Sequence, residues 1–469
     1  FSLSAEVAQW LDSTSTILQQ ALNAIEQNAV NDQQRYSFML ALQNAANDYR
    51  QKVYSQQGFS AKASVQQTAL KQLMTVSLSV LDASIANNLR PDGLYNAYNI
   101  LSLTEDKAEI SYLYPMLEGQ VAILSAGVLS PEQAVTLTEQ LYNSDMYRAD
   151  QHTFMLYPDR DLNGFMQKNI ISAELIAATP ALQAMVSEQD QRIVMLDEQG
   201  NYRFHAACDN SAGLSKKIEQ LKADYSNLTP SDWKVLEKTY EQVFNHKAFT
   251  GRSGTMFGYE GLGCIYWHMV SKLLLAVQEN YLKARELDAA SPATQRLAQL
   301  YYQVRQGIGF NKTPDNYGAF PCDPYSHTPK QAGAQQPGMT GQVKEEVISR
   351  FTELGIEVAN GAINIKPSLL KANEFLSQDA VFQWKNLAGE DRQCELSAGQ
   401  LAFTLCQVPF VYTCSDDSEP AIVCHLANGE TQQVSGLSLP QSLSQQLFAR
   451  LGEIVKVEVS LNSQAIAQF

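Results

Sequence analysis

Residues 343–355, VKEEVISRFTELG, lie where the chain changes from one kind of structure to another. The apolar residues Val347, Phe351 and Leu354 recur at helical spacing, which predicts a helix with one buried face. The sequence before this helix is mostly typical of helices, and from about residue 362 onward it is typical of short strands. The segment therefore predicts a chain made of a helical part followed by a β part.

The helical part contains several long segments with apolar residues at i, i+3 and i+4. Helices are predicted at residues 7–25, 65–89, 108–127, 130–142, 231–244, 263–286 and 294–308. Residues 192–207 alternate around Gln199-Gly200-Asn201 and predict a small β-hairpin. The chain has no repeat of fixed period, and its loops vary in length. This pattern suits a toroid of helical hairpins better than a solenoid, and it predicts an α/α toroid over residues 1–361.

The β part shows the alternation of apolar and polar residues that half-buried strands have. Strand sequence is predicted at residues 380–386, 400–414, 421–434 and 453–461. Asn428-Gly429 is a strong signal for a tight hairpin turn. The predicted fold is therefore mainly α with a β tail: a six-hairpin toroid, then a small antiparallel β-sandwich or jelly-roll domain at residues 362–469.

Composition excludes some classes of partner. The chain has 469 residues, of which 45% are hydrophobic, and a formal net charge of −15. A surface of this charge repels nucleic acid and anionic lipid, so we expect neither as a partner. No apolar run approaches the ~18 residues of a spanning helix, and no signal peptide is visible at the N-terminus.

The seven cysteines form no C-x-x-C pair and no zinc-like spacing with histidine. An odd number of scattered cysteines in a large chain is typical of reduced thiols, so we expect a cytoplasmic protein. No metal site or cofactor motif is predicted.

The loop at residues 90–99, RPDGLYNAYN, contains Asp92. The residues alone favour a Pro-Asp-Gly turn, in which aspartate simply suits the bend. Tyr95 and Asn96 beside it offer an aromatic face and an amide, which suit a sugar ring. A second polar loop, at residues 147–162, holds Arg148 and Asp150 as candidate ligand contacts or as a solvated ion pair.

The segment at residues 249–269 is rich in glycine in its first part and runs into the apolar helix predicted from about residue 263. Its charged members are Arg252 and Glu260. His268 lies inside the predicted helix, where a histidine is more often a satisfied core residue, but its N–H can also donate to an anion.

The segment at residues 316–341, NYGAFPCDPYSHTPKQAGAQQPGMTG, is the longest irregular stretch with functional side chains. Its candidates are Asp323, Tyr325, His327, Gln335, Gln336, Thr340 and Gly341. The helix that follows begins near Thr340 and Gly341, and a helix N-terminus favours an anion through its unpaired N–H groups and dipole. A capping role alone explains the threonine but not the neighbouring glycines and glutamines.

These motifs, in this order, resemble the C-terminal part of the cellobiose phosphorylase family (glycoside hydrolase family 94), and are most similar to its 1,2-β-oligoglucan phosphorylase branch. That family has a six-hairpin toroid followed by a small β domain. It cleaves β-glucosidic bonds with inorganic phosphate and gives α-glucose 1-phosphate with inversion. The resemblance implies a gluco-oligosaccharide substrate, phosphate as co-substrate and no cofactor. It also implies a possible homodimer, or association with a missing N-terminal portion.

The resemblance assigns roles residue by residue. Asp92 is the general acid, His268, Thr340 and Gly341 bind phosphate, and Arg252 is a further phosphate candidate. The candidates for sugar contacts are Tyr95, Asn96, Arg148, Asp150, Glu260, Asp323, Tyr325, His327, Gln335 and Gln336. This sequence departs from the family pattern in the Arg-Pro that precedes Asp92 and in the Gln-Val-Lys-Glu that follows Thr340-Gly341.

Two other functions remain open from the sequence. An inverting hydrolase on the same toroid would need a carboxylate base ~6.5–9.5 Å from Asp92, and Glu260, Asp150 and Asp323 are candidates. A non-catalytic carbohydrate-binding fragment would need neither acid nor base.

Overall fold

The computed structural model describes residues 1–55, 58–158, 165–244, 265, 267–308 and 340–467. The helices are α1 (Ala5–Glu26), α2 (Asp32–Ser55), α3 (Gln67–Ala86), α4 (Leu117–Ser125), α5 (Pro131–Tyr142), α6 (Phe165–Lys168), α7 (Ala173–Ala178), α8 (Pro180–Ser187), α9 (Ser211–Leu221), α10 (Pro230–Phe244), α11 (Trp267–Leu287), α12 (Pro292–Gln306), α13 (Thr340–Glu353) and α14 (Gln441–Ala449). Most of the predicted helices are present, with ends that differ by a few residues.

The strands are short and most pair with a neighbour in sequence. They are β1 (Ser2–Ser4), β2 (Lys62–Ser64), β3 (Ile100–Leu103), β4 (Ala108–Ser111), β5 (Tyr147–Arg148), β6 (Thr153–Phe154), β7 (Val194–Leu196), β8 (Tyr202–Phe204), β9 (Ile356–Ala359), β10 (Ala362–Ile365), β11 (Ala380–Lys385), β12 (Asp391–Leu396), β13 (Gln400–Leu405), β14 (Val408–Ser415), β15 (Ala421–Leu426), β16 (Thr431–Ser435), β17 (Ser438–Leu439) and β18 (Ile454–Asn462). The hairpin predicted at residues 192–207 is confirmed, because β7 and β8 pair there.

One predicted helix is wrong over its first half. The pattern predicts a helix over residues 108–127, but the chain forms β4 paired with β3, and α4 begins only at Leu117. Pro115 explains the delay, because the residue before a proline is pushed out of the helical region. The Arg35 guanidinium of α2 also donates to the Ala108 carbonyl at 2.6 Å and ties the strand in place.

The central core is formed by α4, α5, α11 and α12. Its most deeply buried side chains come largely from α11 and α12, including Leu273, Val277, Leu297 and Tyr301. Residues 288–291 join these two helices, so α12 must run back along α11. Ser291 caps α12 by accepting the Thr294 N–H at 3.1 Å.

Helix direction can be followed from the contacts between α4 and α11. The Asn280 side chain donates to the Leu124 carbonyl at 2.8 Å, and Lys283, further along α11, donates to the Leu129 carbonyl at 2.8 Å. Because the paired positions advance together, α4 and α11 point the same way. α5 follows α4 after a short connection and packs on α12, where the Arg296 guanidinium contacts Glu139 at 2.7 Å.

The same reasoning applies to α13. His268, in the first turn of α11, contacts Glu345 of α13, and Gln278, further along α11, donates to the Ser349 carbonyl at 2.9 Å. α13 therefore starts at the end of the core where α4 and α11 start and where α12 finishes. We call this the loop end.

Residues 165–244 pack around a core of their own. It is formed by Ile171, Ile176, Ala181, Leu182, Met185, Ile193, Val194, Phe204, Cys208, Leu214, Ile218, Leu221, Tyr225, Trp233, Leu236, Tyr240 and Phe244. None of these residues belongs to the central core. We call this segment the insertion unit, because it lies in the chain between the β5–β6 hairpin and α11.

The β part has a third core. In the described part of the chain, β13, β14, β18, β15 and β16 form a sheet in that order, while β9, β10 and β17 form a smaller one. The named strands of the β part pair antiparallel, as predicted, except that β14 and β18 run parallel. The core includes Leu354, Ile363, Phe410, Tyr412 and Val457.

The structure agrees with a mainly α chain that carries a β tail. A closed toroid and the boundary at residue 361 stay predictions. None of the helices in the described ranges has both the length and the apolar content needed to cross a bilayer.

Candidate active site

Asp92 sits in a tight turn and is held by its neighbour Arg90. The guanidinium donates to the carboxylate through Nε at 3.1 Å and Nη2 at 2.8 Å, and the Leu94 N–H donates to Oδ1 at 3.1 Å. The contact with Arg90 lowers the pKa of Asp92, and desolvation only partly opposes it. Gly93 has a φ of +80°, and a Cβ there would lie 3.0 Å from Gln140, so the turn is packed against the end of α5. The turn that the residues favour is thus present.

Tyr95 and Asn96 follow on the same loop but differ in exposure. Tyr95 is 7% exposed and belongs to the central core, and its backbone exchanges two hydrogen bonds with the Gln120 side chain at 2.8 and 2.9 Å. Burial raises the pKa of Tyr95. Asn96 Oδ1 accepts from Arg90 at 3.3 Å. Tyr95 therefore anchors the loop in the core. Asn96 and Asp92 both accept hydrogen bonds from the Arg90 guanidinium.

Arg148 and Asp150 repeat the Arg-x-Asp arrangement on the β5–β6 hairpin. The guanidinium contacts the carboxylate through Nε at 3.1 Å and Nη2 at 2.5 Å. This contact lowers the pKa of Asp150, whose side chain is 63% exposed. Gly307, just past α12, packs against the His152 carbonyl so closely that a Cβ would lie 2.4 Å from it. The hairpin therefore sits at the loop end.

His268 is the second residue of α11 and lies between two buried core residues, Trp267 and Met269. Its Nε2 is 3.5 Å from Oε1 of Glu345, in the second turn of α13. Thr340 and Gly341 open the same helix. Five residues of helix span about 7.5 Å, so the first N–H groups of α13 lie one to two turns from the imidazole contact.

Local contacts fix where each described candidate lies. Helix direction brings His268 and the start of α13 together, and packing brings the Asp92 turn and the Arg148 hairpin to the ends of α5 and α12. Seven predicted site residues lie outside the described residues: Arg252, Glu260, Asp323, Tyr325, His327, Gln335 and Gln336. The roles assigned to all these positions stay predictions.

The structure adds two residues to the candidates. Arg90 precedes Asp92 with the same spacing as Arg148 precedes Asp150, so the repeated Arg-x-Asp pattern could have indicated it. Glu345 carries no sequence signal of its own, because only the packing of α13 on α11 places it beside His268.

Comparison with known families bears on the insertion unit. Residues 162–247 match the family model of the GH149 phosphorylase insertion domain 2. The match supports a glycoside phosphorylase family. Every residue of the separate core described above, from Ile171 to Phe244, falls inside the matched range. No curated protein matches the chain.

Hydrogen bonds within the matched segment tie its β-hairpin to the start of the insertion unit. The Arg203 guanidinium reaches Asp197 at 2.6 Å and donates to the Asn169 carbonyl at 3.1 Å, which ties the β7–β8 hairpin to the entry of the unit. The Asn169 side chain closes the same corner by hydrogen bonds to the Phe204 backbone at 2.8 and 2.9 Å. The described part of the matched segment, residues 165–244, is a compact unit, and the described candidate site residues lie outside it.

Proposed function

We propose that this protein carries out inverting phosphorolysis of β-glucosidic bonds in gluco-oligosaccharides and releases α-glucose 1-phosphate. The observation that carries the proposal is the match of residues 162–247 to a phosphorylase insertion domain. The resemblance of the remaining motifs to the cellobiose phosphorylase family supports the β-glucosidic substrate and the inverting course.

In this proposal, inorganic phosphate binds where α11 and α13 begin. The first N–H groups of α13, at Thr340 and Gly341, point out of the helix with the positive end of its dipole. His268 supplies a ring N–H from the adjacent helix, and Arg252 supplies a further positive charge. Fixed donors of this kind stabilise an anion without general-base chemistry.

Asp92 acts as the general acid. Its carboxyl group donates a proton to the glycosidic oxygen while a phosphate oxygen attacks the anomeric carbon from the opposite face. The carbon–oxygen bond to the leaving sugar breaks, a bond to phosphate forms with inversion, and Asp92 regains a proton from solvent. Phosphate takes the place of the water of an inverting hydrolase, so no second carboxylate is needed.

The contact with Arg90 sets a condition on this role. A carboxyl group that donates a proton must be protonated at the working pH, and Arg90 favours the ionised form. The substrate must therefore draw Arg90 away from Asp92, for example by giving the guanidinium a sugar hydroxyl or a phosphate oxygen to bind.

The sugar is held by the other candidates of the loop end. Asn96, Arg148 and Asp150 offer polar groups there, and Tyr95 holds their loop in place from the core. Glu260, Asp323, Tyr325, His327, Gln335 and Gln336 complete the proposed set. A cytoplasmic location and a homodimer belong to the same proposal.

An inverting hydrolase is the second candidate, and one observation favours it. The Asp150 side chain is 63% exposed, so water can reach its carboxylate as an inverting hydrolase requires, although the contact with Arg148 lowers its pKa and weakens it as a base. In this alternative Asp150 activates water instead of contacting sugar.

A single assay separates the candidates. The purified protein is incubated with β-linked gluco-oligosaccharides of different linkage, with and without inorganic phosphate, and both α-glucose 1-phosphate and free sugar are measured. Phosphate-dependent glucose 1-phosphate supports the proposal. Sugar release that ignores phosphate supports the hydrolase, and sugar binding without turnover supports a binding fragment.

The acid is tested by Asp92→Asn. We expect loss of turnover on the order of 10²–10⁴-fold with sugar binding retained. Asp190→Asn is a matched control, since Asp190 is held by Arg192 with the same two-residue separation, at 2.7 Å, but in the insertion unit. Wild-type turnover in Asp92→Asn would remove Asp92 from the mechanism.

A further inference from the structure

Glu345 is a buried carboxylate with few compensating partners. Its side chain is 3% exposed, and its Oε1 lies 3.5 Å from His268 Nε2 and 3.3 Å from the Nζ of Lys344, a side chain that is 67% exposed. Its Oε2 is buried and has no hydrogen-bond partner among the residues that the structure describes. Burying a carboxylate with so little compensation costs stability. Such a group in a native fold calls for an explanation in function.

The contact is made by one particular ring nitrogen. The 3.5 Å separation brings the carboxylate within ion-pair distance of Nε2 without a hydrogen bond, so Glu345 attracts that edge of the imidazole electrostatically. The other nitrogen, Nδ1, lies on the edge of the ring that Glu345 does not contact. A carboxylate behind a histidine orients the ring in this way in many binding sites.

We propose that Glu345 is a positioning residue that orients His268 for inorganic phosphate. This inference rests on the phosphate site of the proposed function. Glu345 itself does not bind the phosphate, because two anions in contact repel. Glu345 acts through the imidazole of His268. Because Glu345 lies on α13, it links the position of His268 to that helix, whose N-terminus forms the rest of the proposed phosphate site.

The first test measures inorganic phosphate binding by calorimetry, which needs no turnover. In Glu345→Gln, the phosphate Kd should rise roughly tenfold, within the range of coupling between residues in contact. Glu345→Asp keeps the charge and should recover part of the loss. Glu357→Gln is the control, since it removes a carboxylate from an exposed ion pair with Lys366 and should leave phosphate binding unchanged.

The second test asks whether the effect passes through His268. In a His268→Gln background, Glu345→Gln should cause little further loss of phosphate binding, because the ring it orients is absent. In the enzyme assay, Glu345→Gln should raise the KM for phosphate and leave the KM for the oligosaccharide unchanged.

Two results for Glu345→Gln would overturn the inference. One is an equal loss of affinity for phosphate and for oligosaccharide, which indicates general distortion. The other is a loss of phosphate affinity that is just as large when His268→Gln is already present. Wild-type protein that binds no phosphate would overturn it as well. Phosphate binding without phosphorolysis would instead reject the proposed function and leave the role of Glu345 in place.

Discussion

Glu353, the last residue of α13, gives the sharpest stability prediction. Its carboxylate is 1% exposed, accepts from the Tyr301 hydroxyl and contacts Arg305 at 3.1 Å and Arg350 at 2.6 Å. Arg350 also binds Glu374, in a 3-10 turn of the β part, at 2.6 Å. The group therefore joins α12, α13 and the β part through one carboxylate that water does not reach and partners that are partly exposed.

Glu353→Gln should be strongly destabilising. It removes the carboxylate that Arg305 and Arg350 both contact. Breaking a fully buried ion pair by removing one partner costs about 3–5 kcal/mol, and because both guanidinium groups are partly exposed we expect the lower end, about 3 kcal/mol. The matched change Glu357→Gln breaks an ion pair with Lys366 in which both side chains are nearly half exposed, and such pairs contribute about 0–1 kcal/mol.

Denaturant-induced unfolding, followed by fluorescence and by circular dichroism, measures both variants. The midpoint for Glu353→Gln should fall clearly below that of Glu357→Gln. Below its unfolding transition, Glu353→Gln should keep its phosphate KM, because Glu353 lies at the opposite end of α13 from Thr340. Equal losses in the two variants would refute the claim that the buried network stabilises the helix.

Three further predictions follow from single residues. Arg90→Ala should raise the pKa of Asp92, so if Asp92 is the proton donor, the alkaline limb of the kcat/KM profile should move to higher pH, and an unmoved limb would contradict that role. Gly355→Ala should destabilise far more than Gly389→Ala in thermal unfolding, because both have a φ near +80° but only at Gly355 would a Cβ meet backbone, at 2.4 Å; equal losses would contradict the packing. The Arg192 guanidinium lowers the pKa of Asp190 to about 2, below the value of ~3.9 in the unfolded chain. The Asp190 carboxylate therefore stabilises the insertion unit above about pH 4, and this contribution is lost as pH falls through about 2. Unfolding of Asp190→Asn should therefore depend less on pH over that window, and an unchanged dependence would assign the acid sensitivity to other groups.

Local signals account for the elements that the sequence predicts well. Ser130 and Gln133 form a reciprocal capping box at α5, with Pro131 as its first residue, and this start is readable from four letters. The turn between β15 and β16 is equally readable, because tight hairpin turns strongly favour an Asn-Gly pair such as Asn428-Gly429.

Prediction from sequence fails where contacts between distant parts of the chain determine the local structure. Residues 108–111 have apolar spacing that suits a helix, yet they pair with β3 and bind Arg35, some 70 residues earlier. The candidate site shows the same limit. Asp92 and His268 can be picked out by residue type, but the pairing of His268 with Glu345 depends on how α13 packs on α11, and no local pattern carries that information.

The central claim is that phosphate, held near His268 and the start of α13, is the nucleophile. The most direct measurement is the rate of α-glucose 1-phosphate formation from a β-linked gluco-oligosaccharide as a function of inorganic phosphate, for the wild-type protein and His268→Gln. We expect saturable dependence on phosphate, with a KM for phosphate that rises at least tenfold in the variant while the KM for the oligosaccharide is unchanged. Cleavage that proceeds at the same rate without phosphate would contradict it.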